Sequence, residues 1–167
     1  GRRLSAFQAS HLRPTSDRVK ETLFNIISAH VEGANVLDFF AGTGNISIEF
    51  ASRGAIQVTS VEKSKKSLQI LKKNVDLVSC EDITVVPKDV FSFIKSASSS
   101  YDIIFIDPPF TEKISHPVMQ AISESKLFSK ETMIIIDAPV IVRSSATPKS
   151  TAANNSEKVA FSSYELI

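Results

Sequence analysis

Apolar positions along the chain follow two periods. From about residue 17 to 30, Val19, Leu23, Ile26, Ile27 and His30 recur at three-to-four spacing and predict an amphipathic helix. Asp17 near its start and His30 near its end agree with the helix dipole. Short unbroken apolar runs then alternate with further helical patterns. Asn35–Phe39 predicts a buried strand, residues 40–45 a glycine turn, and the stretch to about Ser52 a helix that Arg53-Gly54-Ala55 ends. Residues 57–62 predict the next strand, and Leu68, Leu71, Val75 and Val78 give the following helix an apolar face. Ile83–Val86 reads as a third strand, after which Asp89 opens a short helix with Val90, Phe93, Ile94 and Ala97 inward. A fourth strand ends at Asp107, a helix spans about 115–126, and a fifth strand covers 131–138. Strands alternating with helices predict an α/β fold whose parallel sheet is covered on both faces.

The ends of the chain read differently. Residues 1–12 have too little periodicity to assign, although 3–7 could form an edge strand, and 12–17 form a turn rich in helix N-cap residues. Residues 143–156 are rich in Ser, Thr, Ala and Asn and predict a loop, and 158–167 return as a closing β segment.

At 167 residues, 43% of them hydrophobic and 22% charged, the chain is expected to be a single soluble domain. No apolar run approaches the length of a bilayer span. The lone Cys80 excludes an internal disulfide, disfavours a cysteine metal site and fits a reducing, cytoplasmic compartment. The net charge of +1 is unevenly spread. Residues 1–20 hold five basic residues and one acidic, a net +4, while the remaining 14 basic and 17 acidic residues give −3. A basic arm on a mildly acidic body fits a polyanionic partner, or simply a solvated terminus. The chain starts at Gly1, so this arm (1–15, ahead of a core at 16–167) is expected to be truncated.

Three constellations fall at successive strand ends. Asp38-Phe39-Phe40-Ala41-Gly42-Thr43-Gly44 joins a strand to a helix, and glycines there let the backbone approach a ligand. Glu62 ends the next strand at the spacing where an acidic residue accepts from ribose hydroxyls. The bland alternative is a glycine turn with no ligand. Asp89 after the third strand suits an adenine amine, or an ordinary helix N-cap, or both. Asp107-Pro108-Pro109-Phe110 brings a carboxylate, two rigid prolines and an aromatic ring to a fourth strand end. Acceptors beside a stacking face suit a flat base held by its exocyclic amine. The alternative is a strand-terminating turn.

Asp38 through Gly44, Glu62 and Asp107 through Phe110 resemble the S-adenosylmethionine-dependent amino methyltransferases. Leu12-Arg13-Pro14-Thr15-Ser16-Asp17-Arg18-Val19-Lys20-Glu21, Leu23-Phe24-Asn25-Ile26-Ile27, Gly1-Arg2-Arg3-Leu4, Ile48-Glu49 and Ser52-Arg53-Gly54-Ala55 narrow the resemblance to the RsmD family. These are bacterial enzymes that methylate a guanine N2 amine of 16S ribosomal RNA. The likeness runs in register over roughly residues 1–110. It implies a Rossmann-like class I methyltransferase: a mostly parallel seven-stranded sheet, helices on both faces and an antiparallel C-terminal strand. It also implies that Asp38, Gly42 and Gly44, with Phe40, Ala41 and Thr43 in the same loop, cradle the methionine part of the donor. Glu62 would hold the ribose, with Lys63 beside it, and Asp89 with Val90 the adenine. Asp107 and the Pro108 carbonyl, stiffened by Pro109, would hold the target amine, with Phe110 stacked on the base. Arg2, Arg3, Arg13, Thr15 and Arg18 would face the RNA.

The partner so implied is 16S RNA or the assembling small subunit, met by a monomer with no metal and no membrane. Departures are Ile46-Ser47 where the family usually has Leu-Gly, the missing Tyr-Gly turn before the last strand, and Asp137 in place of a Glu. Three other readings stand beside this one. They are a DNA adenine-N6 methyltransferase with the same tetrapeptide, a binding module without turnover, and a nicotinamide oxidoreductase that would give Asp107–Phe110 no task. His11, His30 and His116 are assigned no catalysis.

Overall fold

A computed structural model of the chain describes residues 17–109, 114–137 and 159–161. The strands are short and mostly apolar, with Asp38, Thr59 and Ser60 as buried polar exceptions, which suits a sheet covered on both faces. They are β1 (Asn35–Phe39), β2 (Gln57–Val61), β3 (Ile83–Val86), β4 (Ile103–Ile106), β5 (Met133–Ile136) and β6 (Val159–Phe161). The helices between them are α1 (Asp17–Val31), α2 (Asn45–Ser52), α3 (Lys65–Val78), α4 (Val90–Ser96) and α5 (Ser115–Ser123).

The strands form one sheet in the order β3-β2-β1-β4-β5-β6, with every described pairing parallel. Alternation along β4 shows the two layers. Ile103 and Phe105 join Phe24, Ile27 and Phe50 under α1 and α2, while Ile104 and Ile106 join Val90, Ile94, Val118 and Ile122 under α4 and α5. Phe24 and Phe50 meet edge to face with ring centroids 4.7 Å apart, which locks α1 onto α2. The chain builds outward in one direction from β1 to β3 and in the other from β4 to β6. The order therefore reverses between β1 and β4, the place where such sheets leave a crevice beyond the strand ends.

Six strands of the sheet lie among the described residues, and an antiparallel seventh would lie outside them. Other expectations change. β6 lies parallel to β5, with Ile134, Ile135 and Ile136 opposite Val159, Ala160 and Phe161. The buried stripe of α3 is Ser67, Leu71 and Asn74, while Leu68, Val75 and Val78 are only half-buried. Of its polar members, Asn74 faces the glycine turn, donating to the Thr43 carbonyl. The fifth strand starts at Met133 because residues 129–132 close a turn in which Thr132 Oγ1 donates to the Tyr101 carbonyl at 2.7 Å. The possible edge strand at 3–7 and the loop at 143–156 lie outside the described residues.

Candidate functional site

The parallel register sets the site. Phe39 pairs with Val61 on β2 and with Ile106 on β4, so Phe40, Glu62 and Asp107 leave the sheet side by side. Backbone bonds continue past the strands. The Ala41 amide donates to the Val61 carbonyl at 3.1 Å, Asp107 to Phe39 at 3.5 Å and Asp137 to Ile106 at 2.8 Å.

The turn after β1 is bent by three left-handed residues, Phe40 (φ 61), Gly42 (φ 56) and Gly44 (φ 82). Such a φ is unusual for a bulky residue like Phe40, and strain of this kind clusters at ligand sites. At Gly44 there is no room for a side chain: a Cβ would lie 2.1 Å from Leu71 Cδ1. The close packing of α3 here explains the glycine better than flexibility does.

Side chains then hold the turn. Glu62 accepts from the Gly42 amide at 2.9 Å through Oε2 and from the Ser64 amide at 2.7 Å through Oε1. Asn74, fully buried on α3, donates to the Thr43 carbonyl at 2.9 Å. Asp38 is 1% exposed and accepts from the Ser47 hydroxyl, which itself accepts from Ser60 at 2.7 Å. Burial pushes the Asp38 carboxyl up to about 7, the Ser47 hydrogen bond opposes this, and nearby Glu62 adds to it.

Across the β1–β4 crevice stands Asp107, half-buried, followed by buried Pro108 and exposed Pro109. Its carboxyl is also pushed up to about 7, first by burial, then by the charges of Asp137 and Asp38. Asp89 lies at the far side of the edge. It caps α4, accepting from Phe91 N at 3.0 Å and Ser92 N at 3.4 Å through Oδ1, while Oδ2 lies 3.9 Å from Lys63 Nζ. The capping role is thus present, and the second oxygen forms an exposed ion pair, which contributes little. Val90 is 4% exposed with its side chain in the core, so only its backbone stands at the edge.

The structure therefore brings Asp38, Phe40–Gly44, Glu62 and Asp107–Pro109 to one edge, with Lys63, Asp89 and Val90 along it. Phe110, Arg2, Arg3, Arg13 and Thr15 lie outside the described residues, as does the Arg18 side chain. Residues missed from sequence are Ser47, Ser60, Leu71 and Asn74, all buried; Ser47 bonds the carboxylate, Ser60 bonds Ser47, and Leu71 and Asn74 pack on or bond the loop. Only Ser47 carried a signal, as a polar residue in an apolar helix. Lys20 was also missed. It ties α1 to α2, with Nζ 3.4 Å from Asn45 Oδ1 and 3.6 Å from Glu49 Oε2.

A buried carboxylate under a strained glycine turn can receive a cationic amine, and an acidic strand end beside it can receive hydroxyls. The donor set thus fits S-adenosylmethionine. Asp107 and the prolines add acceptors on the other side of the crevice, where a second substrate would meet the first.

The profile of the family described as conserved hypothetical protein 95 matches residues 1–166. The ribosomal RNA small subunit methyltransferase D of Haemophilus influenzae is 32% identical, over 99% of this chain and 88% of that protein. A conserved hypothetical protein of Streptococcus pyogenes superposes with a TM-score of 0.67 at 28% identity, covering 80% of this chain and 82% of that one. A SAM-dependent methyltransferase from Agrobacterium tumefaciens superposes at 0.64 with 25% identity, covering 83% of this chain and 49% of that one.

Proposed function

Because the chain belongs to the conserved hypothetical protein 95 family, the RsmD family, we propose that it transfers a methyl group from S-adenosylmethionine to the N2 amine of a guanine in 16S ribosomal RNA. The observation that carries this reading is Asp107 with buried Pro108 directly across the β1–β4 crevice from Asp38 and the glycine turn.

In this reading Asp38 accepts from the donor's ammonium group, the turn at 42–44 lies along its methionine part, and Glu62 accepts from its ribose. Glu62 already binds two amides, and each carboxylate oxygen can still accept a further hydrogen bond. Asp89 and the Val90 backbone stand where the adenine would lie. When bound, the donor supplies an electrophilic methyl on a positively charged sulfur.

Asp107 and the Pro108 carbonyl accept from the target amine's N–H groups and aim its lone pair, otherwise delocalised into the ring, along the line of displacement. As the nitrogen–carbon bond forms and the carbon–sulfur bond breaks, positive charge grows on nitrogen. The Asp107 carboxylate stabilises that charge, and the amine proton leaves to it or to water. Phe110 stacks on a base that is already unpaired or has been flipped out. Arg2, Arg3, Arg13, Thr15 and Arg18 hold the phosphates. The protein acts as a monomer in the cytoplasm, on free 16S RNA or on the assembling subunit. No helix among the described residues is long and apolar enough to cross a membrane.

The test is a methylation assay on isolated 16S RNA, assembled small subunits and duplex DNA, followed by nucleoside analysis. N2-methylguanine on either RNA substrate is expected, and adenine-N6 methylation of the duplex instead would sink the assignment. Asp107→Ala should lower transfer on the order of 10²–10³-fold while donor binding by calorimetry stays within a few-fold.

A further inference from the structure

We propose that Ser47 and Ser60 are positioning residues that hold the Asp38 carboxylate charged and fixed for the donor's ammonium group. This rests on the donor-binding reading above and deepens it. Ser60 on β2 is the register partner of Asp38 on β1, so the two side chains leave the same face of the sheet. Ser47, in the first turn of α2, lies over both. The Ser60 hydroxyl donates to Ser47 at 2.7 Å, and the Ser47 hydroxyl donates to Asp38 Oδ2. Ser47 and Ser60 are fully buried and Asp38 nearly so.

The chain therefore has one direction, with both protons pointing toward the carboxylate. A second hydroxyl behind the first polarises it and strengthens the bond that reaches the anion. A buried hydrogen-bond chain aimed at a carboxylate favours its charged form, which is the form an ammonium group binds.

The surroundings make that support necessary. Burial drives Asp38 toward its neutral form, and the charged groups acting on it, Glu62 beyond β2 and Asp107 beyond β4, are both acidic. On the helices over this face, Lys20 of α1 pairs with Glu49 of α2. Asn74 of α3 is neutral and holds Thr43. Among the described residues, Ser47 is the group that opposes neutralisation of Asp38.

Ser47→Ala and Ser60→Ala test this in the full chain, each checked for a cooperative thermal transition. S-adenosylhomocysteine, which carries the same ammonium group, is titrated calorimetrically from pH 5.5 to 9. The Asp38 carboxyl is followed separately by ¹³C NMR without any ligand. For the wild type, affinity should climb with pH around a midpoint near 7. In Ser47→Ala the midpoint and the carboxyl resonance should both move up by about one pH unit, so affinity at pH 7 falls about tenfold and recovers at pH 9. Ser60→Ala should move both the same way by less.

An unmoved Asp38 midpoint in Ser47→Ala, or an affinity loss equal at every pH, overturns the positioning role while leaving donor binding intact. A wild type that binds no S-adenosylhomocysteine at any pH overturns the donor reading and this proposal with it.

Discussion

The two sides of the β1–β4 crevice are built on opposite plans. On the β1–β2 side the polar groups are held within the protein. Glu62 takes the Gly42 and Ser64 amides, Asp38 takes the Ser47 hydroxyl, and Asn74 takes the Thr43 carbonyl. On the β4–β5 side, Asp107 and Asp137 leave adjacent strands, the Asp137 charge adds to the cost of ionising Asp107, and no described residue donates a hydrogen bond to the Asp107 carboxylate. In the proposed reading, the side that holds one small molecule is set in advance by short bonds between neighbouring elements, and the side that would admit a base keeps acceptor capacity open for it.

The pre-set side should break first at Gly44. In Gly44→Ala, a left-handed φ and a Cβ driven into Leu71 should cost about 3 kcal/mol, read as a lower urea midpoint, with donor binding lost. Leu71 could make room in the double variant Gly44→Ala/Leu71→Ala. Recovery there of stability but not of binding would show that the turn's conformation, beyond the packing, matters to the ligand.

The open side is sharpened by pH. Asp38 and Asp107 titrate near 7 in the fold against an ordinary value of 3.8. Between about pH 4 and 7 the native state therefore holds protons that the unfolded chain has released. Stability is highest at the acid end of that window and falls as pH rises through it. Methyl transfer should run the other way and rise toward pH 8, because both proposed roles need carboxylates. Urea midpoints at pH 5 and 8 measure the first trend and initial rates the second. Asp38→Asn should flatten part of the stability slope, and a wild type more stable at pH 8 than at pH 5 would contradict the burial of these two groups as acids.

Asp89 stands between the plans, since it caps a helix and faces outward. Asp89→Ala should cost about 1 kcal/mol, whereas Asp89→Asn keeps the cap and should leave the melting temperature nearly unchanged. A donor affinity that falls in the Asn variant would assign Asp89 a ligand role separate from the cap. The smallest effect is expected at the basic arm. Arg13→Ala should lower the salt slope of RNA binding by about one unit, measured by fluorescence anisotropy, with donor binding unaltered.

What could be read without a structure is what neighbours in sequence control. The short, mostly apolar runs marked β1, β3 and β4, because a strand covered on both faces admits a polar residue only where a partner is built for it, as at Asp38 and Ser60. Glycines at 42 and 44 marked the turn, since the chain must reverse there within a few residues. Asp38, Glu62, Asp89 and Asp107 were each visible as an acidic residue at or near a strand end. The resemblance to the methyltransferases then followed from those same residues.

Only the tertiary structure decided how these residues are held. Ser47 lies 9 residues from Asp38, Ser60 13 from Ser47 and Asn74 31 from Thr43. No local period links positions so far apart, and packing of α2 and α3 on the sheet brings them within bonding distance. The α3 stripe gains a polar member for the same reason: Asn74 looks like a surface residue until the turn it holds is in place. The direction of β6 was equally hidden, because parallel or antiparallel pairing depends on where the chain from β5 returns rather than on residues 159–161. The sequence by itself determined which acidic groups reach the crevice, since strand ends are local events. The fold decided which of them are already bound and which remain open, because that depends on contacts between elements distant in the chain.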